Sequence, residues 1–277
     1  MKTILVNAEK CLQCGDCMIA CHDEHFDNDW SPIAAPQGDS KSWIRIDEDE
    51  VASGRLTKTT RIPVMCQQCA KADCVLAAGD DAVYRREDGI VIIDPVKAKG
   101  RKELVDSCPF GAIYWNEALQ LPQKCTMCAH LLDEGWKRPR CVTACPADAL
   151  SFVDAASLTP ENLTAPLEEL KPELKCGPRV KYMNLPKPFV GGDVLAIGTD
   201  EPVVNMKVTA THQITGFTAY DYTDVFGGFK IEKLEPGFYT IAFEAPGYLF
   251  KKFKNMDLRQ AVNMEEVYVA KVPEGAR

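Results

Sequence analysis

The 277-residue sequence has no basic surplus: 40 Asp and Glu against 32 Lys and Arg leave a formal charge of −8. A chain so balanced has no positive field with which to draw nucleic acid or an anionic membrane surface. It lacks an apolar run long enough to cross a bilayer, so direct membrane insertion is not expected. Nor does the start, Met1-Lys2-Thr3-Ile4-Leu5-Val6, read as a targeting segment; it reads as a short strand. With no export signal and many free thiols, the expectation is a cytoplasmic protein. Cysteine is absent after Cys176, and the thirteen present are bunched in ligand spacing, which argues against a disulfide framework. What remains is an ordinary globular composition, 46% hydrophobic and 26% charged, with room for two domains.

Twelve of the cysteines fall into four groups. The first, Cys11-x2-Cys14-x2-Cys17-x3-Cys21, has the spacing of a bacterial ferredoxin half-site, in which three thiolates wrap one corner of a cubane and the fourth reaches a second cluster. The last, Cys125-x2-Cys128, a twelve-residue insert and Cys141-x3-Cys145-Pro146, is the same half-site with a stretched middle. Exchange of fourth ligands then puts Cys11, Cys14, Cys17 and Cys145 on one [4Fe–4S] cluster, and Cys21, Cys125, Cys128 and Cys141 on another. Structural zinc uses paired Cys-x2-Cys groups too, and twelve cysteines would satisfy three zincs by count. Four thiolates crowded as in the first group suit a cubane corner better than tetrahedral zinc.

The middle groups are incomplete in an informative way. Cys66-x2-Cys69-x4-Cys74 supplies three ligands, and Ala78 stands where a fourth belongs. Cys108-Pro109 ends a half-site whose other positions, counted back, hold Leu104, Arg101 and Ala98. If these halves also exchanged ligands, Cys66, Cys69, Cys74 and Cys108 form one complete set, and the four vacated positions are the whole set of another. The expectation is three [4Fe–4S] clusters and a fourth erased as a unit, with Arg101 and Leu104 filling its space. Cys176 lies outside every group and is expected to be an unpaired thiol. His22, His25 and His130 flank ligand loops; each is expected to be a surface histidine, with a hydrogen bond to a cluster as the alternative.

Between the groups, Trp43-Ile44-Arg45-Ile46 alternates like a strand, and Asp47-Glu48-Asp49-Glu50 reads as a solvated turn. Residues 82–94 read as a hairpin turning at Asp88-Gly89, and Ala112–Trp115 as its matching strand. Thr159-Pro160 followed by Leu163, Leu167 and Leu170 predicts a short amphipathic helix. Pro186, Pro188 and Gly191-Gly192 mark a linker. The fold class expected is α+β: a domain of duplicated ferredoxin modules over residues 1–185, then an all-β sandwich over 190–277. Seven short strands, at 194–197, 206–212, 217–222, 229–234, 238–243, 248–253 and 267–272, build the sandwich. It shows no nucleophile–base pair, metal cluster or phosphate loop, so no catalytic residue is assigned.

The four-group arrangement, with Lys124-Cys125-Thr126-Met127-Cys128-Ala129-His130 and the tail Gly177–Tyr182, resembles the iron–sulfur subunits of molybdopterin oxidoreductases related to dimethyl sulfoxide reductase. The missing fourth cluster, the stretches Tyr84–Pro95 and Tyr114–Glu117 and the appended sandwich are similar to the small subunits of the pyrogallol–phloroglucinol transhydroxylase group. The sandwich resembles transthyretin-like or carboxypeptidase regulatory-type modules. The resemblance implies an electron-transfer subunit, with the cluster of Cys11 nearest a large catalytic subunit. That partner alone would hold a molybdenum bis-pterin cofactor and act on phenolic aromatics by hydroxylation, dehydroxylation or transhydroxylation. A subunit of a respiratory molybdenum reductase and a free-standing multicluster ferredoxin are the alternatives.

Overall fold

The computed structural model describes residues 1–273 except Ser40 and residues 54–55, and it leaves out the side chains of residues 49–58. The chain divides into two compact units, residues 1–48 with 61–185 and residues 49–60 with 186–277.

In the first unit, β1 (Lys2–Asn7) lies between antiparallel β8 (Leu150–Asp154) and parallel β9 (Lys181–Met183). Ile4 and Val6 carry this sheet into the core beside Trp43, Ile92, Met127 and Tyr182. Three two-stranded sheets follow among the described residues: β2 (Ile44–Ser53) with β3 (Leu56–Met65), of which residues 49–60 are counted in the second unit, β4 (Val83–Arg85) with β5 (Val91–Ile93), and β6 (Tyr114–Asn116) with β7 (Leu121–Gln123). The helices are short: α1 (Asp16–His25), α2 (Asp73–Ala78), α3 (Glu103–Asp106), α4 (Ala129–Asp133) and α5 (Arg140–Ala144).

Turn chemistry, more than helix propensity, shapes these segments. The residue before the second cysteine of three groups is left-handed: Gln13 at φ 59°, Gln68 at φ 52° and Met127 at φ 52°. Residues with a Cβ avoid this region, so its recurrence in three unrelated sequences marks a demand of the loop itself. The two Cys-Pro segments repeat another geometry, with Gly111 at φ 59° and Asp148 at φ 50° three residues after their cysteines. Cys17 and Cys21, four apart on α1, share one helix face.

The hairpin of β4 and β5 pairs Val83 with Ile93 and Arg85 with Val91. Its turn is closed by Gly89 N–H to the Arg86 carbonyl at 2.8 Å, with Gly89 at φ 82°. Two expectations fail. The leucines at 163, 167 and 170 make no α-helix; a single 3-10 turn spans Pro160–Asn162, and Glu168 bridges Tyr182 instead. Pro166 and Pro172 explain it, since each removes a donor and turns the residue before it away from the helical region. The acidic run is no turn either: residues 47–50 continue β2, and Asp47 is clamped by Arg45 at 2.6 Å. The side chains of Asp49 and Glu50 lie outside the described residues.

The second unit is a sandwich. One sheet orders β13 (Gly228–Ile231), β10 (Val190–Ala196) and β16 (Val262–Val269); the other orders β12 (Thr218–Tyr222), β11 (Lys207–His212), β14 (Phe238–Glu244) and β15 (Lys251–Asp257). Burial alternates along β11 and β14, and their register sets Val208 against Phe243 and Ala210 against Ile241. Phe229 meets Phe243 edge-on across the core at 5.5 Å. Gly227 is required where it stands: at φ 81°, a Cβ there would meet the Val194 carbonyl at 2.5 Å. Seven strands occur in these two sheets among the described residues, but the last two begin at 251 and 262, not 248 and 267; the first of these shifts follows because Ala245-Pro246-Gly247-Tyr248 is spent on a turn. The architecture is α+β, ferredoxin-type modules followed by a β-sandwich.

Candidate iron–sulfur sites

All thirteen cysteines are free thiols. Cys11, Cys14, Cys17 and Cys145 line one cavity of about 310 Å³, walled by Ile46, Pro63 and Leu150. Cys66, Cys69, Cys74 and Cys108 line another of about 360 Å³, walled by Val91, Phe110, Ile113 and Lys124. Among the described residues no three cysteine, histidine or acidic side chains converge closely enough to hold a single ion. Four thiols around a gap, and not around a point, suit a multi-iron core.

The remaining ligand candidates, Cys21, Cys125, Cys128 and Cys141, are buried together. Burial pushes the Cys125 thiol up to about 12, and Cys21 and then Cys66 add to it. Cys141 is pushed well up by burial, then by Cys128, Cys125, Cys21 and Cys17. Burial also raises Cys17 to about 12, with Cys11, Cys145 and Cys14 adding. Such repulsion acts only between near neighbours, so it maps the groups. Thiols of the Cys21 group feel Cys17 of the first set and Cys66 of another. Buried thiols in this state favour their protons, and a cationic core that takes up thiolates would release them.

The four vacated positions also converge. Ala78, Ala98 and Leu104 belong to one buried apolar cluster with Ala82, Val83, Ile93 and Leu121, and Leu104 is fully enclosed. Arg101 does not fill this space. It caps the cluster from outside, donating to the Ala78 carbonyl at 3.1 Å and pairing with Asp80 at 3.0 Å and Glu103 at 2.9 Å. A guanidinium keeps its charge, so it stays at the solvent edge where carboxylates meet it.

The histidines differ from expectation. His25 and His130 are buried, not on the surface. His25 packs on Trp43 at 4.4 Å, His130 stacks on Trp30 at 4.3 Å, and His130 Nε2 meets Glu24 Oε1 at 3.1 Å. Burial, then the His130 charge, lower His25 to about 3, so it is neutral. His22 is half-buried against Phe26 at 5.1 Å.

Three residues have surroundings that the sequence did not announce. Cys176 is buried with its sulfur 3.7 Å from that of Cys69. Gln68 bridges two segments, donating to the Cys125 carbonyl at 3.0 Å and accepting from Val91 N–H at 2.7 Å. Lys124 is buried, and its ammonium donates to the carbonyls of Val91 and Cys125. Only the position of Lys124 directly before Cys125 hinted at a role. No helix among the described residues is long and apolar enough to cross a membrane.

A family profile described as "4Fe-4S dicluster domain" matches residues 57–155, and one described as "Carboxypeptidase regulatory-like domain" matches residues 190–267. The chain is 39% identical over 257 residues to the pyrogallol hydroxytransferase small subunit of Pelobacter acidigallici, covering 88% of this chain and 90% of that one. It is 35% identical over 149 residues to the thiosulfate reductase electron transfer subunit PhsB of Salmonella typhi, covering 54% and 73%. It is 31% identical over 171 residues to a putative dimethyl sulfoxide reductase iron-sulfur subunit of Halobacterium salinarum, covering 54% and 65%. Its cysteine-lined modules, its appended sandwich and an identity that runs across both make this chain a member of the iron–sulfur subunit family of dimethyl sulfoxide reductase-type molybdoenzymes, in the group that includes the pyrogallol hydroxytransferase small subunit.

Proposed function

We propose that this chain carries three [4Fe–4S] clusters in a row and serves as the electron-transfer subunit of a complex whose large subunit holds a molybdenum bis-pterin and transforms phenolic aromatics. The ligand sets proposed are Cys11, Cys14, Cys17 with Cys145; Cys21 with Cys125, Cys128 and Cys141; and Cys66, Cys69, Cys74 with Cys108. The observation that supports it best is the middle set, whose thiols neighbour both Cys17 and Cys66. Each cluster, when bound, supplies a one-electron couple.

The chain's own residues bury those couples and fix their spacing. Cys17 and Cys21 share one face of α1 yet belong to neighbouring sets, so the helix ties two sites at a fixed separation. Gln68 does the same between the Cys66 loop and the Cys125 loop. Transhydroxylation is redox-neutral overall, so the row would set the oxidation state of the partner's metal and need not pass electrons in every turnover. The phenolic substrate class rests on the name of the Pelobacter acidigallici relative. The match to an electron transfer subunit of thiosulfate reductase favours, as the second reading, a respiratory reductase for an inorganic acceptor.

Two measurements separate these. Copurification with a large molybdenum-containing chain active on trihydroxybenzenes supports the first reading; activity confined to an inorganic acceptor supports the second. Iron analysis of this chain should give about twelve irons for three cubanes. In a Cys145→Ser chain, EPR should show damage to the Cys11 cluster before that of Cys125, although Cys145 is nearer in sequence to the latter. Loss confined to the Cys125 site would refute the exchange of fourth ligands.

A further inference from the structure

Lys124 is 2% exposed. Its Nζ donates to the Val91 carbonyl and, at 3.3 Å, to the Cys125 carbonyl. Neither acceptor is charged, and among the described residues no carboxylate pairs with it. Lysine is almost never buried this fully without a counter-charge. The side chain also lines the cavity of Cys66, Cys69, Cys74 and Cys108, while its backbone leads directly into Cys125 of the middle set.

We propose that Lys124 is a fixed positive charge set between two clusters, the one bound by Cys66, Cys69, Cys74 and Cys108 and the one bound by Cys21, Cys125, Cys128 and Cys141, and that it raises their reduction potentials. The inference rests on the cluster assignment proposed above. Its physical basis is simple. Four thiolates on a [4Fe–4S] core leave net negative charge, which grows by one on reduction, and a nearby buried ammonium favours the more negative state. The clusters thereby supply the counter-charge that the lysine lacks. Lys124 lines the cavity of the Cys66 set and is not among the residues lining that of the Cys11 set, so the effect is directional.

Lys124 acts on the clusters through space and touches no substrate; it is a positioning residue. The competing role is a tether, holding Val91 of β5 to the Cys125 loop by hydrogen bonds alone. Lys124→Gln separates the two, because an amide keeps a donor for those carbonyls and loses the charge. Lys124→Arg keeps both. The chains should be purified with their large partner and followed by iron analysis and by redox titration with EPR resolved by cluster. The wild-type and Gln chains should each hold about twelve irons. In the Gln chain the reduction equilibrium of the Cys66 cluster should weaken about tenfold, which is about 59 mV more negative for one electron. The Cys125 cluster should move the same way, the Cys11 cluster least, and Arg should recover most of the shift. Potentials that stay put in a fully loaded Gln chain would overturn the proposal, as would a Cys11 cluster that shifts as far as the others. If the Gln chain sheds iron from the Cys66 site and the Arg chain keeps it, the charge is again what matters; equal shedding in both overturns the proposal in favour of a size-limited tether. A wild-type chain well short of twelve irons would instead sink the three-cluster assignment itself.

Discussion

Two places in the first unit occupy equivalent positions in one pseudo-repeat and have opposite interiors. At Cys66, Cys69, Cys74 and Cys108, four sulfurs face a cavity of about 360 Å³. At Ala78, Ala98, Arg101 and Leu104, the same spacing closes on packed aliphatic carbon, with an arginine laid over the edge. If the second place is an erased site, as proposed, the difference teaches how a protein can lose a cofactor and keep its fold. Replacing a single ligand would leave buried thiols around a void. Replacing all four, with Leu104 as the large filler and Ala78 and Ala98 as small ones, exchanges metal bonds for apolar burial. The hairpin of β4 and β5 stays in place because Val83 and Ile93 pack into that replacement.

The most severe way to break the comparison is to treat the thiol site as if it were the carbon site. Cys108→Ala should remove a whole cluster, about four irons from the chain, because no residue of suitable size waits to fill the gap. EPR should show the Cys11 cluster intact. Retention of all the iron would mean that Cys108 is not a ligand, and that Cys176, whose sulfur lies 3.7 Å from Cys69, has taken its place.

The converse change is next in size. Leu104→Ala empties the centre of the carbon site and should destabilise the iron-loaded chain by about 2–5 kcal/mol, the usual cost of a buried leucine with its cavity. Leu76→Ala, on an exposed face of α2 nearby, should stay within about 0.5 kcal/mol. Urea unfolding with matched iron content measures both. Equal effects would show that the vacated positions are loosely filled and bear no weight.

A pH series sharpens the contrast without mutation. In the iron-free folded chain, burial raises thiols such as Cys17 and Cys125 from 9.0 to about 12. The folded state then holds protons that the unfolded state gives up, so the stability from these groups is whole below about pH 9 and is lost as pH climbs toward 12. Thermal melting of the iron-free chain should fall between pH 8 and pH 10.5. The cluster-loaded chain, whose ligands are already thiolates, should fall less over that interval. Parallel curves would mean that the thiols are not held apart from water.

Much of this contrast was legible before any coordinates. The ligand spacing is local, so Cys11 to Cys21 announces its loop, and Asp88-Gly89 announces its turn. The vacated positions were legible by counting. What a linear pattern does not carry is burial brought about from a distance. Cys176 meets Cys69 across 107 residues of chain, and His25 and His130 are enclosed by Trp43 and Trp30 from separate loops. The burial of Lys124 is not written in its place before Cys125; it comes from β5, whose Val91 carbonyl accepts from its ammonium. The leucine period at 163–170 misled because a repeat of apolar residues says nothing of Pro166, which denies that segment its helix.

The smallest effect belongs to Arg101, and its smallness is informative. Arg101 stands in a ligand position, so a sequence view gives it the same weight as Leu104. Its partners Asp80 and Glu103 are largely solvent-exposed, and exposed ion pairs add little because water already solvates both charges. Arg101→Ala should therefore shift the urea midpoint only marginally at low salt, and still less at high salt, where the pairs are screened. Its one inward bond, to the Ala78 carbonyl, ties the segment of Arg101 to that of Ala78, so amide exchange there should quicken even where global stability hardly moves. A destabilisation as large as that of Leu104→Ala would put the arginine inside the core, and the erased site would then be held by charge and not by carbon.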